Sequence, residues 1–170
     1  FTKELDTALL AGDVDIAVHS MKDVPTQLPQ GITTAFIPKR SAWQDVIVTN
    51  NSNWESKNYV VATSSLRRAA QWKHKYPSHT INDIRGNVPT RLKKLSESDF
   101  DGTIMAMAGL SRLEMLPENS VVLDWMIPAP AQGAILVTAL TENQELLSTL
   151  NKLNHEETAR CVEEERLFLR

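Results

Sequence analysis

A short strand that runs directly into an arginine-bearing helix start is the feature that most constrains the fold of this 170-residue chain. The clearest case lies at residues 59–75, where the apolar run YVVA is followed by TSSLRR and then by a helical pattern from Leu66 to Lys75. Ser64 or Ser65 can cap this helix, because a short hydroxyl accepts hydrogen bonds from the free amides of the first turn. We therefore predict a strand–turn–helix unit at this point.

Two more units of this kind follow along the chain. A strand over residues 78–84 leads into RGNVPTR (85–91), where Asn87 can cap a second helix. The strand Gly102–Ala106 then leads into a short helix from Ala108. Three successive strand–helix units predict an α/β fold with a parallel sheet, in which the helix starts lie along one edge.

Arginines flank these helix starts, where the helix macrodipole is already positive. Arg67 and Arg68 occupy the first turn of the first helix, a place where Asp or Glu is usual. An anion held by amides, hydroxyls and guanidiniums together would remove this mismatch; the alternative is that both arginines simply extend into water. The sheet geometry predicts that five arginines converge on one crevice and bind a polyanion: Arg67, Arg68, Arg85, Arg91 and Arg112.

Composition restricts the classes of partner. The formal net charge is −3, so a generally basic surface for duplex nucleic acid is not indicated, and the local arginines suit a small anionic ligand better. The single cysteine, Cys161, excludes an internal disulfide, and we interpret it as a small buried core residue. The four histidines lack metal-ligand spacing, no apolar run can span a bilayer, and no signal peptide is visible. We expect a cytoplasmic protein that binds neither metal nor membrane.

Proline-marked crossings near Pro38 and Pro128 divide the chain. We predict an inserted α/β domain over residues 41–127, with 1–38 and 132–150 forming part of a different, incomplete domain. Two crossings between two lobes predict a hinge with a ligand cleft. Both ends of the chain lie in helical patterns without a stop signal, so we expect a piece of a longer protein.

The remaining elements are predicted from alternation and helical spacing. They are strands at residues 13–18, 32–37, 121–126 and 134–140, and helices at 2–10, at 142–153 and from residue 155 on, the last with Asn154 as its cap. The motif HSMKDVP (19–25) leaves a strand end, a place where loops carry chemistry. A solvated turn is the alternative interpretation of its adjacent charges, Lys22 and Asp23.

Taken together, the motifs resemble those of the hydroxymethylbilane synthase family, also called porphobilinogen deaminases. They occur in the family's order along essentially the whole chain: HSMKDVP (19–25), TSSLRR (63–68), RGNVPTR (85–91), AGLSR (108–112), PAQG (130–133) and LNHEET (153–158). The family joins four porphobilinogen molecules head to tail, with release of ammonia, to form hydroxymethylbilane. Its products are polycarboxylates, which suits the predicted arginine crevice.

The resemblance implies a three-domain parent whose first two domains are similar to type II periplasmic binding proteins. Domain 2 would be complete here and domain 1 partial, and residues 151–170 would begin the connection to domain 3. In the family, a cysteine of domain 3 carries a covalent dipyrromethane cofactor. That cysteine would lie beyond residue 170, and Cys161 does not match it because it lacks the glycines of the family motif.

The resemblance also implies roles for individual residues. Asp23 matches the catalytic aspartate, whose carboxylate can stabilise the cationic azafulvene formed when ammonia leaves and can handle pyrrole N–H protons; Lys22 matches a lysine near the cofactor. The matches to residues that bind cofactor and chain carboxylates are Ser65, Arg67, Arg68, Arg85 and Arg91. The matches to residues that hold the incoming substrate or growing chain, or that support it through hydrogen bonds, are Arg112, Thr63, Ser64 and Gln132. Arginine suits these roles because its fork meets a carboxylate bidentately.

Two alternatives to a transferase differ from it in the residues that they require. A non-catalytic anion-binding module of the same fold would have no use for the carboxylate of Asp23 in an arginine-rich cleft. Single-stranded nucleic acid binding requires aromatic residues beside the arginines, and the motif stretches have none. We expect these residues alone to be inactive, and the full-length parent to be a monomer that acts on porphobilinogen.

Overall fold

The structure, a computed structural model, describes residues 2–51, 53–54 and 58–169. In chain order its elements are α1 (Thr2–Ala11), β1 (Ile16–Ser20), a 3-10 turn (Met21–Asp23), β2 (Ile32–Phe36), β3 (Asp45–Thr49), β4 (Val60–Ala62), α2 (Leu66–Lys75), β5 (Thr80–Asn82), α3 (Val88–Ser96), β6 (Gly102–Ala106), α4 (Met107–Arg112), β7 (Ser120–Val122), β8 (Ile135–Leu140), α5 (Gln144–Leu150), a second 3-10 turn (Asn151–Leu153) and α6 (Glu156–Leu167). The predicted α/β class is confirmed.

The chain divides into two compact units. Unit 1 contains the residues up to Trp43 and those from Pro130 on, and unit 2 is Gln44–Ala129. Each unit has its own sheet and its own buried apolar residues.

Unit 1 is built on a three-stranded antiparallel sheet in the order β1-β8-β2. The central strand, β8, is apolar because it is covered on both faces. Leu136 packs in one cluster with Met21 and Val162, whereas Val137 packs in another with Ala35. Since Val162 belongs to α6, the last helix is part of the core of unit 1.

Unit 2 contains a five-stranded sheet in the order β5-β4-β6-β3-β7. β4 runs parallel to β5 and β6, but β3 runs antiparallel to both β6 and β7. The expectation of a parallel sheet is therefore wrong for half of it. Only strands joined by a crossover helix are constrained to be parallel, and β3 precedes the first crossover helix.

Helices cover both faces of this sheet. Val46 and Val48 of β3 pack against Leu95 of α3 on one side, and Ile47 between them packs with Trp72 of α2 on the other. All five residues of β3 are buried, which explains its continuous apolar run.

Several predicted element boundaries and environments are wrong. The strand predicted at 121–126 is only Ser120–Val122, and the 142–153 helix ends at Leu150 and continues as a 3-10 turn. The cap of α6 is His155, whose ring accepts from the amide of Thr158, whereas the Asn154 side chain accepts from the amide of Ile37.

Cys161 is exposed, which corrects the interpretation of this residue as part of the core. The buried residues of α6 are Thr158, Val162 and Arg166, which recur at every fourth position. Cys161 lies outside this stripe, so its side chain faces solvent.

Candidate functional site

The turn between β4 and α2 is held together by its own hydroxyls. Ser65 is the cap of α2 and accepts from the amide of Arg68 at 3.5 Å, as the sequence predicts, while Thr63 Oγ1 accepts from the amide of Ser65 at 3.2 Å. Ser64 Oγ donates to the carbonyl of Ile84 at 2.8 Å and accepts from its amide at 3.0 Å. These bonds join the carboxyl ends of β4 and β5, so Thr63 and Ser64 shape the turn that presents the arginines.

The start of α3 is built in the same way. The Asn87 side chain accepts from the amide of Thr90 at 3.0 Å, which confirms the predicted cap. Arg91 Nε donates to the carbonyl of Gly86 at 2.8 Å, and Lys94 Nζ donates to the carbonyl of Arg85 at 2.9 Å. The side chains of Arg91 and Lys94 therefore fold back over the turn, and Arg85 is exposed beside it.

Beneath these turns, two arginines share one buried carboxylate. Asp45, the first residue of β3, is completely buried. Its Oδ1 accepts from Arg68 Nε at 3.1 Å and from Arg68 Nη2 at 2.7 Å, while Oδ2 lies 2.7 Å from Arg67 Nη2. Arg68 also donates to the carbonyl of Ile104 at 3.0 Å. One negative charge thus compensates two positive ones, and the cluster retains an excess positive charge.

The electrostatics of Arg68 agree with this geometry. Burial lowers the pKa of its guanidinium, the carboxylate of Asp45 opposes this, and the positive charges of Arg67 and Arg91 lower the pKa further. The influence of Arg91 shows that the start of α3 acts on the start of α2. Only 5% of Arg68 is exposed, so its guanidinium is almost completely shielded from solvent.

Arg112 differs from the other four arginines. It is the last residue of α4, four residues after Ala108, so unlike Arg67 and Arg91 it does not lie in the first turn of its helix. Arg112 is exposed at the carboxyl end of the helix, where positive charge complements the macrodipole.

In unit 1, Lys22 and Asp23 lie on the 3-10 turn that follows β1 directly. Asp23 is exposed and Lys22 is half-buried. Their neighbours Met21 and Val24 are buried in the core, which fixes the turn on both sides. The turn therefore presents a carboxylate and an ammonium side by side on a rigid support.

Gln132 is completely buried, and its side chain donates to the carbonyl of Trp43 at 2.8 Å. Its own carbonyl accepts from Arg40 Nε at 2.9 Å. The next residue, Gly133, has a φ of +86°, and a Cβ there would meet the carbonyl oxygen of Ala42 at 2.6 Å. The segment PAQG is thus a close backbone contact within unit 1, in which Gln132 ties two chain segments together.

An ion pair closes the same region. Arg40 Nη1 and Nη2 donate to the two oxygens of Glu165, at 2.5 and 3.0 Å, and the amide of Ala131 donates to Glu165 Oε2 at 2.8 Å. Partial burial acts to raise the pKa of Glu165, but the hydrogen bonds from Arg40 and Ala131 outweigh it, so the pKa lies below its ordinary value. α6 is thereby fastened to the segment that carries Gln132.

Three residues of this framework were missed by sequence reasoning: Asp45, Arg40 and Arg166. Asp45 gives a signal, since an acid at the head of the fully apolar run VIV requires a cationic partner. Arg166 also gives one, because it lies four residues after the apolar Val162 on the same helix face. Arg40 gives no local signal, because its partner lies 125 residues further along the chain.

Residues 2–51, 53–54 and 58–169 contain no group of three His, Cys, Asp or Glu side chains placed to hold a metal ion. His79 is buried, and its ring accepts from Trp72 Nε1 at 3.2 Å. Across the same described ranges, the longest and most apolar helices fall short of what crossing a membrane requires.

Comparison of the sequence with known proteins shows a match to one family. A family model described as "Porphobilinogen deaminase, dipyromethane cofactor binding domain" matches residues 1–148. The chain is 46% identical over 174 residues to a protein of Oryza sativa subsp. japonica named "Porphobilinogen deaminase, chloroplastic", covering 99% of the chain and 49% of that protein. It is 43% identical over 173 residues to a Francisella tularensis protein named "Porphobilinogen deaminase", covering 99% of the chain and 58% of that protein. The chain spans about half the length of these curated relatives.

Solved structures show the fold. The second substrate binding domain of a putative amino acid ABC transporter from Streptococcus pneumoniae matches with a TM-score of 0.54 and 15% identity, covering 95% of this chain and 74% of that one. A Bordetella pertussis BvgS VFT2 domain, a double mutant, matches with a TM-score of 0.50 and 14% identity, covering 95% and 72%. The predicted similarity to type II periplasmic binding proteins is confirmed.

Proposed function

The chain belongs to the porphobilinogen deaminase family, and we propose that the full-length protein containing it is a hydroxymethylbilane synthase. Such a transferase joins four porphobilinogen molecules head to tail and releases ammonia at each step. The observation that carries the proposal is the exposed carboxylate of Asp23 beside Lys22, on a turn whose flanking residues are buried. A protein that only binds anions gains nothing from a negative charge at this point.

The arginine-rich turns of unit 2 support the second half of the proposal, which is binding of a polycarboxylate. We assign the carboxylates of the dipyrromethane cofactor and of the growing chain to the hydroxyl of Ser65 and to the guanidiniums of Arg67, Arg85 and Arg91, since a guanidinium suits bidentate contacts with a carboxylate. Arg68 belongs to the same set but contributes indirectly from beneath the turn, because its guanidinium is hydrogen-bonded to Asp45. The donor set fits the cofactor, which supplies the pyrrole onto which substrate is added.

The roles of the remaining residues follow from their positions. Arg112 is exposed and is assigned to a substrate carboxylate. Thr63, Ser64 and Gln132 support binding indirectly, since their side chains hold the backbone of the turns beside which substrate binds. The covalent link to the cofactor is assigned to a cysteine outside these residues, as in the family that the motifs resemble.

In the reaction, Asp23 acts on the incoming substrate. The C–N bond of its aminomethyl group breaks, ammonia takes the bonding electrons and a proton, and the pyrrole becomes a cationic azafulvene. The carboxylate of Asp23 stabilises that cation and handles the N–H proton. A C–C bond then forms to the terminal pyrrole of the chain, whose α-proton is released.

The experiment is intact mass spectrometry of the full-length protein, with and without porphobilinogen. The wild-type protein should carry one dipyrromethane and gain further pyrrole steps, and Asp23→Asn should stall them, because asparagine keeps the shape of the side chain and loses its charge. Asp15→Asn, an exposed acid elsewhere in unit 1, is the matched control and should behave as wild type. Pyrrole addition at the wild-type rate in Asp23→Asn would refute the assigned role.

A second candidate function is a non-catalytic module that binds small polyanions, favoured by the likeness to substrate-binding domains. It predicts binding of porphobilinogen by calorimetry without ammonia release or a covalent mass increase. In that case Arg91→Gln should weaken binding while Asp23→Asn should leave it unchanged or tighten it.

We also propose the domain assignment expected from the sequence, with 1–38 and 132–150 in domain 1 and 41–127 as domain 2; residues 151–170 lead to domain 3 and pack against domain 1 through α6. The full-length protein is proposed to be a cytoplasmic monomer that binds no nucleic acid. Cell fractionation tests the location, and sedimentation velocity, without and with an added oligonucleotide, tests the monomeric state and the lack of nucleic-acid binding.

A further inference from the structure

Arg166 on α6 makes three hydrogen bonds to the backbone around the Lys22–Asp23 turn. Its Nη1 donates to the carbonyls of Met21 and Val24, both at 3.0 Å, and its Nη2 donates to the carbonyl of Pro25 at 2.5 Å. Only 8% of Arg166 is exposed. A buried guanidinium is thus committed to the carbonyls on both sides of the proposed catalytic residues.

This arrangement fixes the direction in which the turn points. The amide of Val24 donates to the carbonyl of Met21 at 3.2 Å, which closes the 3-10 turn, and the amide of Met21 donates to the carbonyl of Ala134 at 3.1 Å, which ties the start of the turn to the segment before β8. Arg166 adds the constraint on the far side of the turn, because its planar fork also meets the carbonyls of Val24 and Pro25. Val162, one helical turn earlier, packs in the same core cluster as Met21 and Val24, so the base of the arginine is itself held in place.

We propose that Arg166 is a positioning residue, which holds the Met21–Pro25 backbone so that Asp23 and Lys22 keep a single orientation towards substrate. The inference rests on the proposed function. A misplacement of about 1 Å at a reacting group can lower the rate about 100-fold. Lysine keeps the charge but cannot reach three carbonyls in one plane, so Arg166→Lys should lower kcat by about 10- to 100-fold and change KM by less than about threefold.

The test uses full-length wild type, Arg166→Lys, Arg166→Ala and the control Arg160→Ala, an exposed arginine on the same helix. kcat and KM are measured per cofactor-bearing molecule, counted by intact mass, so that a loss of folded protein does not count as a loss of rate. Hydrogen exchange of the peptide covering residues 20–26 is followed in parallel. Arg166→Ala is assayed with millimolar guanidinium, and with methylammonium as the mismatched cation.

The proposal expects faster exchange confined to residues 20–26, a reduced kcat with little change in KM, and partial recovery of Arg166→Ala by guanidinium but not by methylammonium. Wild-type kcat in folded Arg166→Lys and Arg166→Ala would overturn it. So would loss of structure throughout the protein in both variants, because Arg166 would then serve the fold as a whole. If wild type adds no pyrrole, the proposed function fails, while the exchange data still report whether Arg166 holds the turn.

Discussion

Replacing Asp45 with asparagine preserves the shape of the side chain at the head of β3 and removes the negative charge that Arg67 and Arg68 share. Arg68 is 5% exposed, so it cannot recover the lost charge pairing from water. Removing one partner of a buried ion pair costs about 3–5 kcal/mol. The asparagine oxygen can still accept one hydrogen bond from Arg68, so we expect the lower end, about 3 kcal/mol off the stability of unit 2.

Native-state hydrogen exchange of the full-length protein measures this loss. A change of about 3 kcal/mol corresponds to roughly 100-fold faster exchange of the slowest amides of β3 and β6. Peptides from β8, in unit 1, provide the internal reference.

Two further variants separate charge from shape. Arg67→Gln should cost about 1 kcal/mol or less, because a quarter of the Arg67 side chain is exposed and water can replace the lost contact. Asp45→Asn combined with Arg68→Met should recover part of the loss, since no unpaired charge is then left buried. If Asp45→Asn accelerates exchange by less than about fivefold, or if Arg68→Met adds to its cost, a buried charge balance at this site is refuted.

Three other perturbations test the framework. Glu165→Gln should lower stability by about 1 kcal/mol at neutral pH, a modest value because the ion pair with Arg40 is partly exposed. Folding lowers the pKa of Glu165, so its contribution to stability is present above the pKa of a free glutamate and is lost as the pH falls through the folded pKa. The stability of the variant towards urea should therefore depend less steeply on acid pH than that of the wild type. Gly133→Ala should lower stability by about 2 kcal/mol or more, because φ is +86° and the new methyl meets backbone oxygen, whereas Gly12→Ala, at a φ of +76° with open space around it, should cost less in thermal unfolding. Burial raises the pKa of Tyr59 from 10.0 to about 12, so the difference in absorbance at 295 nm between wild type and Tyr59→Phe should appear near pH 12. The stability that comes from keeping this phenol neutral should be complete below pH 10 and lost as the pH rises through 12. An absorbance difference centred on pH 10 would contradict the buried environment.

Local features of the site were predictable because they depend on residues a few positions apart. The sequence predicts Ser64 or Ser65 as one cap and Asn87 as the other, since a hydroxyl or amide just before a helical pattern reaches amides two or three residues away, and the observed caps are Ser65 and Asn87. Helix α2 was predicted with its observed bounds for the same reason.

Features that depend on distant pairing were not predictable in this way. The direction of β3 is set by its neighbours β6 and β7, and its residues alone do not encode it. The positions of Arg67 and Arg68 were identified, but their partner Asp45 lies more than twenty residues earlier and was overlooked. Arg68 is buried and paired with Asp45, an environment that its place in the first turn of a helix does not indicate.

The pairing of β3 with β7 bears on the order in which the chain folds. The amide of Leu123 donates to the carbonyl of Asp45 at 2.9 Å, so unit 2 brings together the points near which the chain enters and leaves it. The two halves of unit 1 are joined by the roughly 86 residues of unit 2. Once unit 2 has folded, this connection has the effective length of a loop of about ten residues when unit 1 forms. The loop-closure entropy saved is about 2 kcal/mol. The insert thereby assists assembly of the domain that it interrupts, and a substitution that unfolds unit 2 should also slow the formation of unit 1.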